Sequence, residues 1–269
     1  MSNSKATSGN LSSIFPVIVI PILFIISLLV FKFVLGDPSH YEGGDPEKGH
    51  PLDMLGTIHK GGFIVPILFT VNLTVIVFCI ERFITLMRAN GKGGTDAFIK
   101  RVKGMLGSNQ IDQAISECDK QKGSLANVLR AGLLKYKFVS NAENQMDKEA
   151  KVAAIQKDLE EATSLELPML SKNLVILSTC ATISTLIGLI GTVVGMIRSF
   201  AALANAGAPD TTALATGISE ALINTLFGIL GSTIAIIMYN YFSNRIDGMT
   251  YGMDEASYNI VQTFNEKGN

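Results

Sequence analysis

"GISEALINTLFG", residues 217–228, sets a carboxylate, an amide and a hydroxyl into an otherwise uncharged run from Thr211 to Asn244. That run exceeds the ~20 residues a helix needs to cross the hydrocarbon core of a bilayer. Wound as a helix, residues 217–239 sort onto two sides. One side gathers Glu220, Asn224, Thr225, Ser232 and Tyr239 with Gly217, Ala221, Gly228, Gly231 and Ala235. The other is Ile218, Leu222, Ile223, Leu226, Ile229, Leu230, Ile234, Ile236 and Ile237. Lipid accounts for the apolar side. The small and polar side must face protein or water, because a carboxylate left in lipid costs about 3 kcal/mol or more.

Three further apolar runs are also long enough to cross: Ile14–Leu35, Gly61–Ile80 and Asn173–Ile197. The first is interrupted only by Lys32, whose long stem lets the charge reach the interface. The run Ile14–Leu35 is longer than the apolar core of a leader peptide and no A-x-A site follows it, so a retained membrane helix is expected. With 48% hydrophobic residues and a mean hydropathy of +0.35, the 269-residue chain is too apolar for an ordinary soluble domain. No segment alternates apolar and polar residues as a barrel strand does. The expected fold is all-α, a polytopic membrane helix bundle with long helices extending into the cytoplasm.

Charge orients the bundle. Residues 81–172 carry 15 of the 22 Lys and Arg, with Arg82 and Arg88 directly after the second run. Residues 36–60 hold only Lys48 and Lys60 against Asp37, Glu42, Asp45, Glu47 and Asp53. By the positive-inside rule, 1–60 is a membrane helix with an external loop, and 61–80 is the second membrane helix. Residues 81–172 are then a cytoplasmic helical region, 173–198 a membrane helix, 199–212 an external loop, 213–244 the last membrane helix and 245–269 a cytoplasmic tail. Arg198 stands apart, a cation at the outer end of the third run. Within the cytoplasmic region, Glu143–Glu166 lacks Gly and Pro and is rich in good helix formers. It reads as a continuation of the third membrane helix, bent near Pro168.

The third run repeats the two-sided layout. Ser184, Gly188, Gly191 and Gly195 form a small-residue stripe of the kind that lets membrane helices approach closely. Beside it lie Ser171, Ser178, Thr185, Thr192 and Ser199, one hydroxyl every seven residues. Both stripes are expected to face other copies of the chain or a partner helix around a shared lumen. Helix packing alone would also account for the glycines, and the hydroxyls could bond their own i−4 carbonyls. Glu220 is the only carboxylate within the four runs, and an intramembrane carboxylate is a functional candidate. It fits either a fixed hydrogen-bond acceptor or a proton-exchanging group. No Lys or Arg shares its stripe, so exchange near neutral pH is expected.

Several chemistries are absent. "NGKGG" at 90–94 lacks the upstream glycine and the hydroxyl of a nucleotide-binding P-loop. No zinc-protease or nucleophile-elbow motif occurs. Cys79, Cys118 and Cys180 have neither disulfide nor metal spacing, and His40, His50 and His59 read as solvated loop residues. The net charge of −1 gives no reason to expect nucleic acid. Neither an enzyme nor a cofactor or metal is expected.

With the helices laid out, "GLIGTVVGMIRSF", "GISEALINTLFGI" and "IMYNYFSNRI" together resemble the MotA/TolQ/ExbB proton-channel family, most closely its ExbB branch. "ERF" at 81–83 is similar to the end of that family's first shared helix. The resemblance covers roughly residues 60–245, and the additional helix at 14–35 departs from the three-helix pattern of ExbB and TolQ. It implies an inner-membrane subunit that forms a homo-oligomeric ring, a pentamer, around a dimer of ExbD-like single-pass proteins. Proton flow would then do work on a TonB-like protein for outer-membrane nutrient import. A TolQ-like or MotA-like subunit, or a scaffold without energy coupling, are the alternatives. The family's lining residues correspond to Thr192, Glu220 and Thr225. Asn224 joins them in the expected proton pathway, with Ser184, Gly188, Gly191, Gly195, Gly217, Gly228 and Gly231 as packing residues.

Overall fold

The computed structural model describes residues 6–47, 49–140, 146–205 and 211–267. Among them the chain is helical, without a strand. The helices are α1 (Ala6–Leu29), α2 (Met54–His59), α3 (Ile64–Ala89), α4 (Thr95–Gly107), α5 (Ile111–Gln121), α6 (Ser124–Ser140), α7 (Lys148–Ser171), α8 (Leu174–Asn205) and α9 (Thr211–Lys267). A π-helical turn, Val30–Leu35, extends α1. Four of the helices are long and apolar enough to cross a membrane, and the chain is a multi-pass membrane protein.

Residues up to Cys79 and Ile176–Tyr239 form one compact unit. In lipid the hydrophobic effect does not draw apolar helices together, so close packing and hydrogen bonds must do so. Leu35, Val65 and Ile223 make a buried cluster, with Phe31, Ile58, Phe69 and Phe227 packed against it. This corrects one expectation: Ile223, assigned from its wheel position to the lipid side, is covered by the end of the first membrane helix and by α3. The remainder of that side stays open, with Leu226 56% and Ile237 60% exposed.

The loop 36–60 is a folded cap. Asp53 accepts from Gly56 N at 2.9 Å, capping α2, and its other oxygen meets His40 Nδ1 at 2.6 Å. Tyr41 is buried, with its hydroxyl 2.7 Å from His59 Nδ1, 3.2 Å from Leu35 O and 3.3 Å from Gly56 O. These contacts are satisfied together when His59 Nδ1–H donates to Tyr41 and the hydroxyl donates to a carbonyl. Burial, reinforced by the charge of Asp53, pushes the Tyr41 phenol up to about 12.

Ile80–Val175 and the chain from Asn240 onward form the second unit. Its core is apolar: Phe98, Val102, Val128, Leu129, Leu133, Ile155 and Leu159 are buried, as are Phe242, Ile246, Ile260 and Phe264. A side chain of this kind fully withdrawn from water contributes roughly 1.5–3 kcal/mol. Tyr136 stands edge-on to Phe264 at 4.8 Å between ring centroids. The surface pairs Arg101–Glu117 and Arg130–Asp119 are solvated and add about 0–1 kcal/mol each.

Three sequence expectations shift here. First, α7 begins at Lys148, with Asp147 accepting from Ala150 N at 2.8 Å. Of the expected stretch from 143, residues 143–145 lie outside the described residues. Second, the break before the third membrane helix falls at Lys172–Asn173 rather than at Pro168, which stays inside α7. Asn173 takes a left-handed conformation, φ +65°, which Asn tolerates better than most residues. Arg82 Nη1 donates to the C-terminal end of α7 at the buried Leu170 O, 3.1 Å away. Third, Ser199–Asn205 continue α8 rather than opening the external loop, because their run of Phe, Ala and Leu sustains the helix. Residues 206–210 of that loop lie outside the described residues, as do 268–269 of the tail.

Candidate functional site

The site is built on the antiparallel contact of α8 with the first half of α9. The small residues foreseen as packing positions meet one another there. A Cβ placed on Gly188 would lie 3.0 Å from Gly228 Cα. One on Gly195 would lie 2.7 Å from Gly217 O, and one on Gly231 would lie 2.5 Å from Ser184 Oγ. A Cβ on Gly191 would overlap the Asn224 side chain. Real Cβ atoms do not approach so closely, so glycine at these positions is what allows the helices to touch. This corrects the expectation that the small stripes face a partner helix: within one chain, α8 and α9 already consume them on each other.

The same register sets the polar residues. The Thr192 and Thr225 hydroxyls are in direct hydrogen-bond contact. Each also lies within reach of a carbonyl of its own helix, Gly188 O at 3.2 Å from Thr192 and Ala221 O at 3.1 Å from Thr225, so the hydroxyl that does not donate to its neighbour donates back along its helix. A two-hydroxyl contact has one bridging proton and leaves the other free to turn between partners. Seven and fourteen residues away from the threonine pair on each helix, Thr185 and Ser178 of α8 and Ser232 and Tyr239 of α9 line a groove of about 460 Å³. The hydroxyl series of α8 is therefore shorter than expected. Ser171 belongs to α7, and Ser199 is buried, donating to Gly195 O at 3.1 Å or Leu214 O at 3.2 Å.

Glu220 is buried, its side chain 4% exposed. The expectation that it lacks a cation is overturned. Arg198 of α8 places Nη1 2.6 Å from Oε1 and 2.8 Å from Oε2. The stripe of α9 holds no cation of its own, but the opposing helix supplies one. Arg198 is half exposed, at 51%, and its guanidinium lies 5.9 Å from the centroid of the Phe63 ring. A charge-assisted contact to both oxygens of a buried carboxylate is the strong kind of hydrogen bond.

The turn before α3 closes over this pair. Gly62 has φ +78°, and a Cβ on it would lie 2.5 Å from Glu220 Oε1 and 3.3 Å from Arg198 Nη1. Glycine is required on both counts. One residue earlier, Gly61 O accepts from Asn224 Nδ2 at 2.9 Å. The Asn224 Oδ1 is buried with no partner among the described residues. Asn72 of α3 donates to Leu68 O at 2.8 Å and to Phe227 O at 3.2 Å, tying α3 to α9.

Of the four expected pathway residues, Thr192 and Thr225 are brought together, and Asn224 and Glu220 meet the Gly61–Gly62 turn. The site residues that sequence reading did not assign are Arg198, noted there only as a charge at the outer end of the third run, and Gly61, Gly62 and Phe63. Once Thr192 is set opposite Thr225, counting six residues up α8 and five down α9 brings Arg198 to Glu220. That register was the available signal. No group of three or more His, Cys, Asp or Glu among the described residues is disposed to hold a metal.

The family model for the MotA/TolQ/ExbB proton channel family matches residues 120–255. The Tol-Pal system protein TolQ of Pseudomonas aeruginosa is 32% identical over 184 residues, which is 65% of this chain and 78% of that one. The biopolymer transport protein ExbB of Pseudomonas putida is 28% identical over 146 residues, 54% of this chain and 44% of that one. The TolQ of Haemophilus influenzae is 34% identical over 101 residues, 38% of this chain and 44% of that one. The chain thus spans most of one relative and less than half of the other two. Half of the chain lies inside the family model, α8 and the Glu220 segment included. The protein is a member of the MotA/TolQ/ExbB proton channel family.

Proposed function

We propose that this protein is an inner-membrane proton-channel subunit of ExbB type. Several copies would surround single-pass, ExbD-like partner helices and convert the proton gradient into work on a TonB-like protein serving outer-membrane nutrient import. The observation that carries this reading is a buried carboxylate, Glu220, the one such group among the described residues, five residues from the Thr225 end of a Thr192–Thr225 hydroxyl contact. Orientation follows the charge asymmetry: residues 36–60 face outward, and residues 81–172 face the cytoplasm. Glu220, with Asn224 beside it, then lies toward the outer mouth, and the threonine pair lies deeper.

The glycine seam between α8 and α9 is internal, so the lumen of the ring would be lined by the hydroxyl edge of that pair: Ser178, Thr185, Thr192, Thr225, Ser232 and Tyr239. One carboxylate cannot carry a proton across the whole core. Hydroxyls with water, and a carboxylate on the partner helix, would complete the path. One charge falling through 100 mV releases about 2.3 kcal/mol, enough for a stepwise motion.

The wide match to TolQ supports a second reading, in which the same device drives a TolA-like protein of the envelope. Purification of the full chain from its native membrane decides between them. The ExbB reading predicts a TonB-like protein with the single-pass partner. A TolA-like protein in its place selects the second reading, and absence of any single-pass partner contradicts both.

A further inference from the structure

Arg198 is the one cation placed against the buried carboxylate, and the two halves of that pair are not equally held. Glu220 is enclosed by α8 and by the backbone of Gly62. Arg198 is 51% exposed, with its guanidinium over the face of Phe63. The carboxylate therefore cannot leave the contact, whereas the guanidinium can, at the end of a long flexible stem.

We infer that Arg198 is the outer gate of the proton path, a positioning residue that occupies Glu220 at rest and swings away to admit a proton. The inference rests on the proton-channel reading above and deepens it. While Arg198 is docked, both Glu220 oxygens are engaged and the carboxylate stays anionic. When the guanidinium leaves, a buried unpaired carboxylate is costly and is neutralised by binding a proton. The proton comes from a hydronium ion of the outer water, which departs as water, and an O–H bond forms on one Glu220 oxygen. The O–H bond then breaks as the proton passes to a carboxylate of the partner helix, by way of water held at the Thr192–Thr225 hydroxyls, and the guanidinium redocks on the anion. The docked cation closes the outer side until the next opening. The same positive charge, when docked, disfavours entry of metal cations at the mouth.

The test uses the full chain with its native single-pass partner in vesicles carrying a trapped pH dye under an imposed gradient. Arg198→Gln should raise resting proton flux about tenfold, the effect of removing one charge-assisted contact from the barrier. Arg198→Lys, which keeps the charge but on a shorter stem that reaches Glu220 less well, should give an intermediate rise. The double variant Arg198→Gln with Glu220→Gln should return to background, which distinguishes an opened gate from a leaky assembly. Flux in Arg198→Gln at or below the wild-type level overturns the inference. So does an elevated flux that persists in the double variant. Should Arg198→Gln not assemble, Arg198→Lys carries the test, and wild-type or lower flux overturns the inference. Wild-type flux in Glu220→Gln alone would contradict the proton-channel reading itself, separately from the gate.

Discussion

Gly188 and Gly228 pass each other with only hydrogen atoms between their backbones: a Cβ on Gly228 would lie 2.8 Å from Gly188 Cα and 2.8 Å from Ser184 O. Neither obstacle is a side chain that can turn aside, so the helices themselves must separate. Gly228→Val should therefore cost about 1–3 kcal/mol and lower the unfolding temperature of the purified protein. It should also weaken the Thr192–Thr225 contact that depends on the same register. An unchanged unfolding temperature would mean that α8 and α9 do not pack this way.

Crosslinking separates contacts within a chain from contacts between chains. Cysteines at Thr192 and Thr225 in one polypeptide should oxidise to an intramolecular bridge, seen as a mobility shift of the monomer band. Single cysteines at Gly191 or Gly228 should not crosslink copies of the chain, since both positions are buried in the seam. Cysteines at Leu226 or Ile237 should react with a lipid-soluble reagent. Efficient crosslinking between copies through Gly228 would show that the seam faces another subunit.

Arg82 is 2% exposed and grips both Glu81 oxygens at 2.6 Å while capping Leu170 O. Asn173, at the α7–α8 break, also donates to Glu81. Arg82→Met should destabilise the protein by about 3 kcal/mol, because it strands a half-buried carboxylate. Adding Glu81→Gln should recover part of that loss. Denaturation of the two variants measures the coupling, and a purely additive result would show that the clasp contributes nothing.

The outer cap should loosen in acid. Burial, and then the charge of Lys60, hold the His59 imidazole below its ordinary value of 6.5. Its remaining polar neighbour is Tyr41, and the nearby His40 and Asp53 are paired with each other. The unfolded segment therefore binds a proton at a higher pH than the folded one. The cap keeps its full stability above about pH 6.5 and loses it as pH falls from there toward the lowered value. Hydrogen exchange of residues 36–60, corrected for intrinsic rates, should show less protection at about pH 5.5 than at about pH 7.5. Equal protection at both would place His59 outside the cap's folding.

How much of this was legible before any coordinates follows from what each residue depends on. The four spans were readable because length and apolarity are properties of a segment alone. The side of α9 that carries Glu220 was readable because a helix repeats regularly. Ile223 was misjudged because its neighbours, Leu35 and Val65, come from elsewhere in the chain. The cation at Glu220 was missed for the same reason, since a wheel drawn for one helix cannot contain Arg198 of another. Pro168 is a strong local signal for a bend, yet the chain turns at Asn173, where a left-handed residue and the Arg82 clasp favour the break.

We propose that Glu220 takes up and releases a proton during function, and proton flux in vesicles holding the full chain and its native partner measures this. Glu220→Gln keeps the shape and can still accept from Arg198, but it cannot carry a proton. It should assemble as the wild type does, with gradient-driven flux falling to background. Thr225→Val, which keeps the shape and removes the hydroxyl, should also fall strongly, while Glu220→Asp should retain partial flux. A normally assembled Glu220→Gln protein that conducts as well as the wild type would contradict the account and leave Glu220 a packing residue held by Arg198.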